Sequence, residues 1–267
     1  MPRRLPEARD AAGAAAERAV VAAMLGFGEA DVGRRQGRRP RYAKDPAAND
    51  LLFEDPFAFL VGVLFDQGIP APRAWSAPHL LATRLGHLDP ARIAADPAAV
   101  ARAVATPPML HRFKATVPRW VCAAARRVLE DYGGDAGAIW GDGPTARALQ
   151  SRLVDFEGIG QKKSAMAVEL LARDFGVRIE ELGGSDVAYD VHVRRVFLRT
   201  GLAAADRLDD VVDAARRANP ARPGSLDHPA WVIGRRWCGA GTPHCGECPL
   251  GAVCPRHLDR ADGVRGN

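Results

Sequence analysis

The chain is poor in aromatic residues and nearly devoid of strand-like patterning. Phe, Trp and Tyr make up 6% of its 267 residues, and runs that alternate apolar with polar side chains are almost missing. A sandwich or barrel of strands is thereby excluded. Long apolar runs are missing as well: none approaches the ~20 residues that cross a bilayer, so no membrane partner is expected. Nor is there an internal repeat, which excludes a solenoid. Cysteine is scarce outside one short stretch. Cys122 stands alone in WVCAAARRVL, a helical apolar pattern that suits a buried small hydrophobe. The other four, Cys238, Cys245, Cys248 and Cys254, fall within 17 residues. A secreted disulfide framework would spread its bridges more widely, so the cluster points to a metal site. The N-terminal MPRRLPEARDAAGAAAERAVVAAML contains acids and lacks a small-residue cleavage site after an apolar core. It reads as a frayed leader into a helix rather than a signal peptide, and a soluble cytoplasmic protein follows.

What is present is helical. Hydrophobic residues at 47% and charged residues at 26% are an ordinary globular balance. Amphipathic stretches separated by Pro, Gly and Asp predict helices over 11–26, 56–67, 73–85, 90–94, 97–105, 111–131, 144–155, 161–175, 190–201, 207–217 and 228–236. The fold class is all-α. Asp55-Pro56, Asp89-Pro90 and Asp96-Pro97 each put a capping carboxylate before a proline at the first helical position. The formal charge is +5 and the pI about 9.2, compatible with a polyanionic partner but weak by itself. The densest basic stretch, GRRQGRRPRYAK at 33–44, has six positive charges and no acid. It is expected to be a solvated, partly mobile loop in preference to a nucleic-acid arm.

Two amphipathic helices, PTARALQSRLVDF and QKKSAMAVELLARDF, are joined by Glu157-Gly158-Ile159-Gly160. So short a turn folds them into a hairpin, with Gly158 and Gly160 taking conformations closed to other residues and Ile159 plugging the core. Such a turn presents bare N–H groups at the N-terminus of the second helix, a site for a phosphate. Taken alone, it reads first as an ordinary tight helix connection. Lys162 and Lys163 lie in the first turn of that helix, where the dipole disfavours their charge. A desolvated amine there becomes a nucleophile able to form a Schiff base with a sugar carbon; otherwise both lysines grip phosphate. Asp190, ahead of Val191-His192-Val193, caps a helix, and the same rigid carboxylate can stabilise a cation or activate a nucleophile. The spacing Cys238-x6-Cys245-x2-Cys248-x5-Cys254 brings four thiolates to one centre and leaves zinc and iron–sulfur both open.

Taken together, Gly158-Ile159-Gly160-Gln161-Lys162, Asp190-Val191-His192 and the cysteine spacing resemble the endonuclease III branch of the helix-hairpin-helix (HhH-GPD) DNA glycosylases. Phe57 to Leu64, followed by Asp66-Gln67, is similar to that family's early helix and the glutamine after it. The resemblance runs from about residue 50 to 255. It implies two helical domains flanking a DNA-binding cleft. One is a six-helix barrel with the hairpin at 48–175. The other is a C-terminal domain at 176–267 carrying a [4Fe–4S] cluster on the four cysteines, with residues 1–47 packing against it. It implies Lys162 as nucleophile, Asp190 as the essential aspartate brought to it across the cleft, and Gln67 as the residue that fills opened DNA. Gly158, Ile159, Gly160, Gln161, Lys163 and His192 join it in binding DNA. The implied activity is excision of a damaged base, an oxidised pyrimidine by default, from duplex DNA by a nucleoid-associated monomer that also cleaves abasic sites. Two alternatives stand beside it: a monofunctional glycosylase in which Asp190 activates water, and a non-catalytic module that binds damaged DNA. The chain departs from the family pattern at Glu157, where proline is usual, and at Tyr189, where a small aliphatic is usual. Asp190 also lies 28 residues after Lys162, with RIEELGGSDVAY as the apparent insertion. Relatives sharing the His111-Arg112-Phe113 and Tyr132 to Trp140 stretches carry the lysine one place later, which makes Lys163 the competing nucleophile.

Overall fold

The structure, a computed structural model, describes residues 11–261; the leader expected ahead of the first helix lies outside them. It is all-helical, with no strand among the described residues. The helices are α1 (Ala11–Gly33), α2 (Pro46–Glu54), α3 (Pro56–Phe65), α4 (Ala71–Leu85), α5 (Pro90–Ala95), α6 (Pro97–Ala105), α7 (Thr116–Tyr132), α8 (Ala146–Val154), α9 (Gln161–Arg173), α10 (Val191–Arg199), α11 (Leu208–Ala218) and α12 (Asp227–Arg236). Four of them start alike. Asp45, Asp55, Asp89 and Asp96 each precede a proline, and each carboxylate accepts a backbone N–H, from Ala47, Phe57, Ala91 and Ala99 respectively. The side-chain oxygen satisfies a first-turn donor, while proline has no N–H to leave orphaned. Helix α2 is absent from the sequence-based expectation, although Asp45-Pro46 repeats the signal that marks the other three.

The chain divides into two compact units, one holding the chain up to Gln36 together with Tyr189 onward, the other Gly37–Ala188. The boundaries expected at 47/48 and 175/176 therefore move to 36/37 and 188/189. The first shift comes from the basic stretch. Asn49 on α2 accepts the N–H of Tyr42 (2.8 Å) and donates to the Pro40 carbonyl (3.2 Å). The Tyr42 hydroxyl reaches the Asp174 carboxylate, and its ring packs against Phe53, Trp75 and Phe175. The C-terminal half of 33–44 is thus anchored rather than mobile, while Arg38, Arg39, Arg41 and Lys44 stay exposed. The second shift comes from the insertion. Its backbone bonds the start of α8, through Ala146 N–H to Glu181 O (2.8 Å) and Glu180 N–H to Pro144 O (3.2 Å). Ile179 and Leu182 pack on the core, and Val187 and Ala188 are buried.

In the Gly37–Ala188 unit, α3 is the axis. PFAFLVGVLF is apolar all round, and every residue from Phe57 to Phe65 is buried, as such a helix requires. The remaining helices of the unit supply one apolar face each, including Leu81, Ile93, Val104, Val121, Leu149, Leu153 and Val168. In the other unit, α1 packs against α12 and buries Val20, Val21, Met24 and Gly28, the last against Pro229. Asp31 accepts from His228 (3.0 Å), and Phe27 meets Trp237 edge-on. Helix α1 extends past the expected end at 26. Among the described helices it alone has the length and composition of a bilayer span, contrary to the expectation that none approaches it. Its apolar content is mostly alanine, and of its larger side chains Val20, Val21 and Met24 are buried.

Candidate functional site

The hairpin forms between α8 and α9. Ile159 is 3% exposed and Phe156 1%, so both plug the turn. Gly158 has φ +89°, and a Cβ there would lie 2.4 Å from the Trp120 indole. Only glycine fits. Gly160 corrects the expectation made for it. Its φ and ψ are −101° and −168°, extended backbone open to any residue, and a Cβ would meet nothing within 4 Å. What Gly160 provides is bare space ahead of α9, whose first turn has no side-chain cap. Those N–H groups and the positive end of the helix dipole suit an anion. Glu157, exposed beside them, pairs with Arg119 at 2.7 Å.

Gln67 and the turn share one open groove, lined by Gln67, Trp120, Val154 and residues 155–160. Gln67 is exposed, but its backbone is fixed. Its N–H reaches Phe65 O (2.7 Å), and His111 Nε2 donates to its carbonyl (2.9 Å). The donor role follows from the other ring nitrogen, since Nδ1 accepts the Phe113 N–H at 3.0 Å. His111 is fully buried, and burial lowers its pKa, with the Lys163, Arg112 and Arg73 charges adding to the effect and the Gln67 bond opposing it. Its neutral form is the one this geometry holds. The roles of Trp120 and His111 were not legible in the sequence, because both arise only when α7 and the segment before it fold against the hairpin.

The two lysines are in different states. Lys162 is exposed. Lys163 is 5% exposed, donates to Leu64 O at 2.8 Å and holds its ammonium 4.9 Å from the Trp120 ring centroid. Burial pulls its pKa down to about 8 against the opposing pull of Asp66, with Lys162 adding to the drop. The amine with the depressed pKa is therefore the inaccessible one. Gln161 turns its side chain to Val187 O (2.8 Å), tying the start of α9 to the insertion. The insertion also buries Asp186, to which Gln150 donates (3.2 Å).

Asp190 and His192 belong to the other unit. Asp190 caps α10, accepting the His192 N–H at 2.9 Å, and is 8% exposed. Its backbone is extended and its side chain held, as cap duty predicts. His192 is half-buried; Arg195 Nη2 donates to its Nδ1 (3.0 Å), and its ring stands edge-on to Trp231. Tyr189 adds a second anchor, its hydroxyl donating to Asp206 (2.9 Å) while the Arg194 guanidinium lies 4.6 Å from its ring centroid.

The four clustered cysteines line a single cavity with Val196, Arg199, Ile233 and Leu250. Among the described residues no three His, Cys, Asp or Glu side chains converge on one ion, whereas a tetrahedral zinc draws its ligands to about 2.3 Å from a common point. Cys238 Sγ accepts from Arg199 (3.5 Å), and Cys254 Sγ from the Arg256 N–H (3.4 Å). Arg195 and Arg199, each 2% exposed, also bind the carbonyls of Cys238 and Gly239. Gly251 is a forced close approach: a Cβ would stand 2.5 Å from the Cys245 carbonyl.

No family model matches the chain. Over 132 residues it is 31% identical to endonuclease III of Bacillus subtilis (strain 168), a stretch that covers 49% of the chain and 51% of that relative. The chain thus spans about half the length of the curated relative it matches. A trapped endonuclease III–DNA covalent intermediate superposes with a TM-score of 0.60 at 17% identity, covering 86% of this chain and 94% of that one. A thermostable thymine-DNA glycosylase gives 0.63 at 16%, covering 94% and 99%. The chain thus shares its all-helical fold with both structures, and over about half its length it is similar in sequence to endonuclease III.

Proposed function

We propose that the protein is a DNA glycosylase that binds duplex DNA containing a damaged base or an abasic site. The observation that carries this reading is the groove in which an exposed Gln67, on a buttressed backbone, shares walls with the uncapped N-terminus of α9. The turn suits a phosphate, and Gln67 suits the gap left when a nucleotide leaves the stack. The endonuclease III structure that superposes on this chain is a trapped covalent intermediate with DNA, which motivates the finer reading that this chain too is a glycosylase and abasic-site lyase. In that reading the Lys162 amine is the nucleophile, because it is exposed whereas Lys163 is buried. Its nitrogen lone pair forms the bond to sugar C1′ as the glycosidic bond breaks toward the base. The amine proton passes to a general base, the role that the family resemblance gives to the Asp190 carboxylate. An oxidised pyrimidine is the default substrate.

Cys238, Cys245, Cys248 and Cys254 would hold a [4Fe–4S] cluster. The fit rests on the shared cavity and on Arg199, whose Nε is buried with no hydrogen-bond partner among the described residues. A buried cation of this kind calls for negative charge beside it, which a thiolate-ligated centre supplies. The cluster's contribution is to fix the loop.

Borohydride trapping on abasic, thymine glycol and uracil duplexes tests the chemistry. A covalent band is expected for the wild type and for Lys163→Met, and none for Lys162→Ala. A band lost only with Lys163→Met moves the nucleophile to Lys163. Base release without any band assigns the chemistry to Asp190-activated water, and neither product on any lesion leaves a binding module.

A further inference from the structure

Lys163 is the most unusual side chain in the Gly37–Ala188 unit, because a lysine at 5% exposure is rare without a charge partner in contact. Its side chain links three elements. It stands on α9, two residues inside the hairpin helix. It donates to Leu64 O at 2.8 Å, one of the last carbonyls of α3 and so at the negative end of that dipole. It lies against the Trp120 ring of α7, 4.9 Å from the centroid, and the same ring backs Gly158. Beyond Leu64 the chain runs directly into Asp66 and Gln67. Gln67, Trp120 and the Gly158–Gly160 turn are the walls of the groove.

We propose that Lys163 is a positioning residue for DNA binding, whose buried ammonium sets the Gln67 loop and the Trp120 indole against the hairpin turn. The role rests on the reading of this groove as a DNA site. It accounts for a cation where a methionine of similar length would fill the space without the cost of desolvation. A leucine or methionine packs equally well but leaves the end of α3 and the indole with nothing directional between them. The charged groups acting on the ammonium are Asp66 after α3 and Lys162 on α9, while His111, bonded to Gln67, feels the ammonium in turn. Lys163 itself loses its proton at about pH 8. Loss of the charge weakens both contacts, so groove order and DNA affinity fall together as the pH rises.

The experiment uses the full chain and a duplex carrying a tetrahydrofuran abasic analogue, with affinity read by fluorescence anisotropy at fixed salt from about pH 6.5 to about pH 9.5. Wild-type affinity is expected to decline with a midpoint near 8. Lys163→Met is expected to keep its helical content and melting temperature. It should bind about tenfold more weakly at neutral pH, the worth of one charge-assisted hydrogen bond, and show no midpoint. Lys163→Arg, charged throughout this range, is expected to bind more tightly than Lys163→Met and also to lose the midpoint. A folded Lys163→Met protein with wild-type affinity and the same pH profile overturns the positioning role while leaving the DNA reading intact. A wild type that binds no duplex overturns the DNA reading itself, and this role with it.

Discussion

The hairpin turn and the cysteine loop are both short, glycine-containing connections, yet they are held in opposite ways. The turn at 155–160 is held by protein alone, with Phe156 and Ile159 buried and the Gly158 backbone resting on Trp120. The loop at 238–254 buries one apolar side chain, Leu250. Its carbonyls sit on two buried arginines, and its thiols face a cavity. Hydrophobic burial of about 1.5–3 kcal/mol per large side chain shapes the first. The second lacks that resource and needs a cross-link.

The sharpest way to break this contrast is to remove the centre. Structural metal sites contribute on the order of 10 kcal/mol to the loops they close. Cys248→Ser is therefore expected to abolish visible absorption and to melt the unit that holds α10–α12, while the Gly37–Ala188 unit keeps its own transition. Calorimetry with limited proteolysis reads both. Simultaneous loss of the two transitions would show that the hairpin side is not self-supporting.

Next in size is the pair of hairpin glycines. Gly158→Ala forces a β-carbon into the Trp120 ring at a positive φ, and an expected loss of about 3 kcal/mol follows from left-handed strain plus overpacking. Gly160→Ala meets nothing and should change stability by no more than about 0.5 kcal/mol, while weakening duplex binding by standing in the phosphate's approach. Equal effects of the two on denaturant midpoints would refute the different roles given to them.

A smaller effect concerns His111. Its folded pKa lies below its ordinary value of 6.5, so the unfolded chain takes up the proton first. The stability held by the neutral ring is full above about 6.5 and is lost as the pH falls through the lower, folded pKa. Stability is expected to fall across that interval, and His111→Gln should flatten the fall in pH-dependent urea melts. An unchanged slope would mean that the Gln67 loop does not depend on this ring.

The same contrast explains what could be read from the sequence. Signals confined to a few neighbouring residues were legible. Asp-Pro gave three helix starts and, at Asp45-Pro46, would have given the missed α2; the glycine turn gave the hairpin; Asp190 gave its cap. Properties that depend on distant partners were not. Gly160 shares its residue type with Gly158 but not its backbone, because only Gly158 lies on an indole from another helix. Adjacent lysines look alike until α3 supplies a carbonyl to one of them. The arginine-rich stretch at 33–44 reads as solvated from charge alone, yet Tyr42 and Asn49 tie half of it down. Four cysteines in sequence announce a metal centre, but that they share one cavity with the buried Arg199 emerges only from the fold.

Glu157 gives the finest test of the hairpin side. Its pair with Arg119 is exposed, at 47% and 63% side-chain accessibility, and pairs of that kind contribute about 0–1 kcal/mol. Glu157→Gln should therefore leave the melting temperature nearly unchanged. At the turn, however, the carboxylate repels a phosphate and occupies Arg119. Removing it is expected to raise duplex affinity about threefold at low salt, and to steepen the dependence of log affinity on log salt by up to about one as Arg119 gains a phosphate. The steepening distinguishes a new ionic contact from a mere loss of repulsion. If affinity and slope both stay at wild-type values, the phosphate does not approach this turn, and the groove's electrostatic role would have to be sought along the exposed arginines at 38–41.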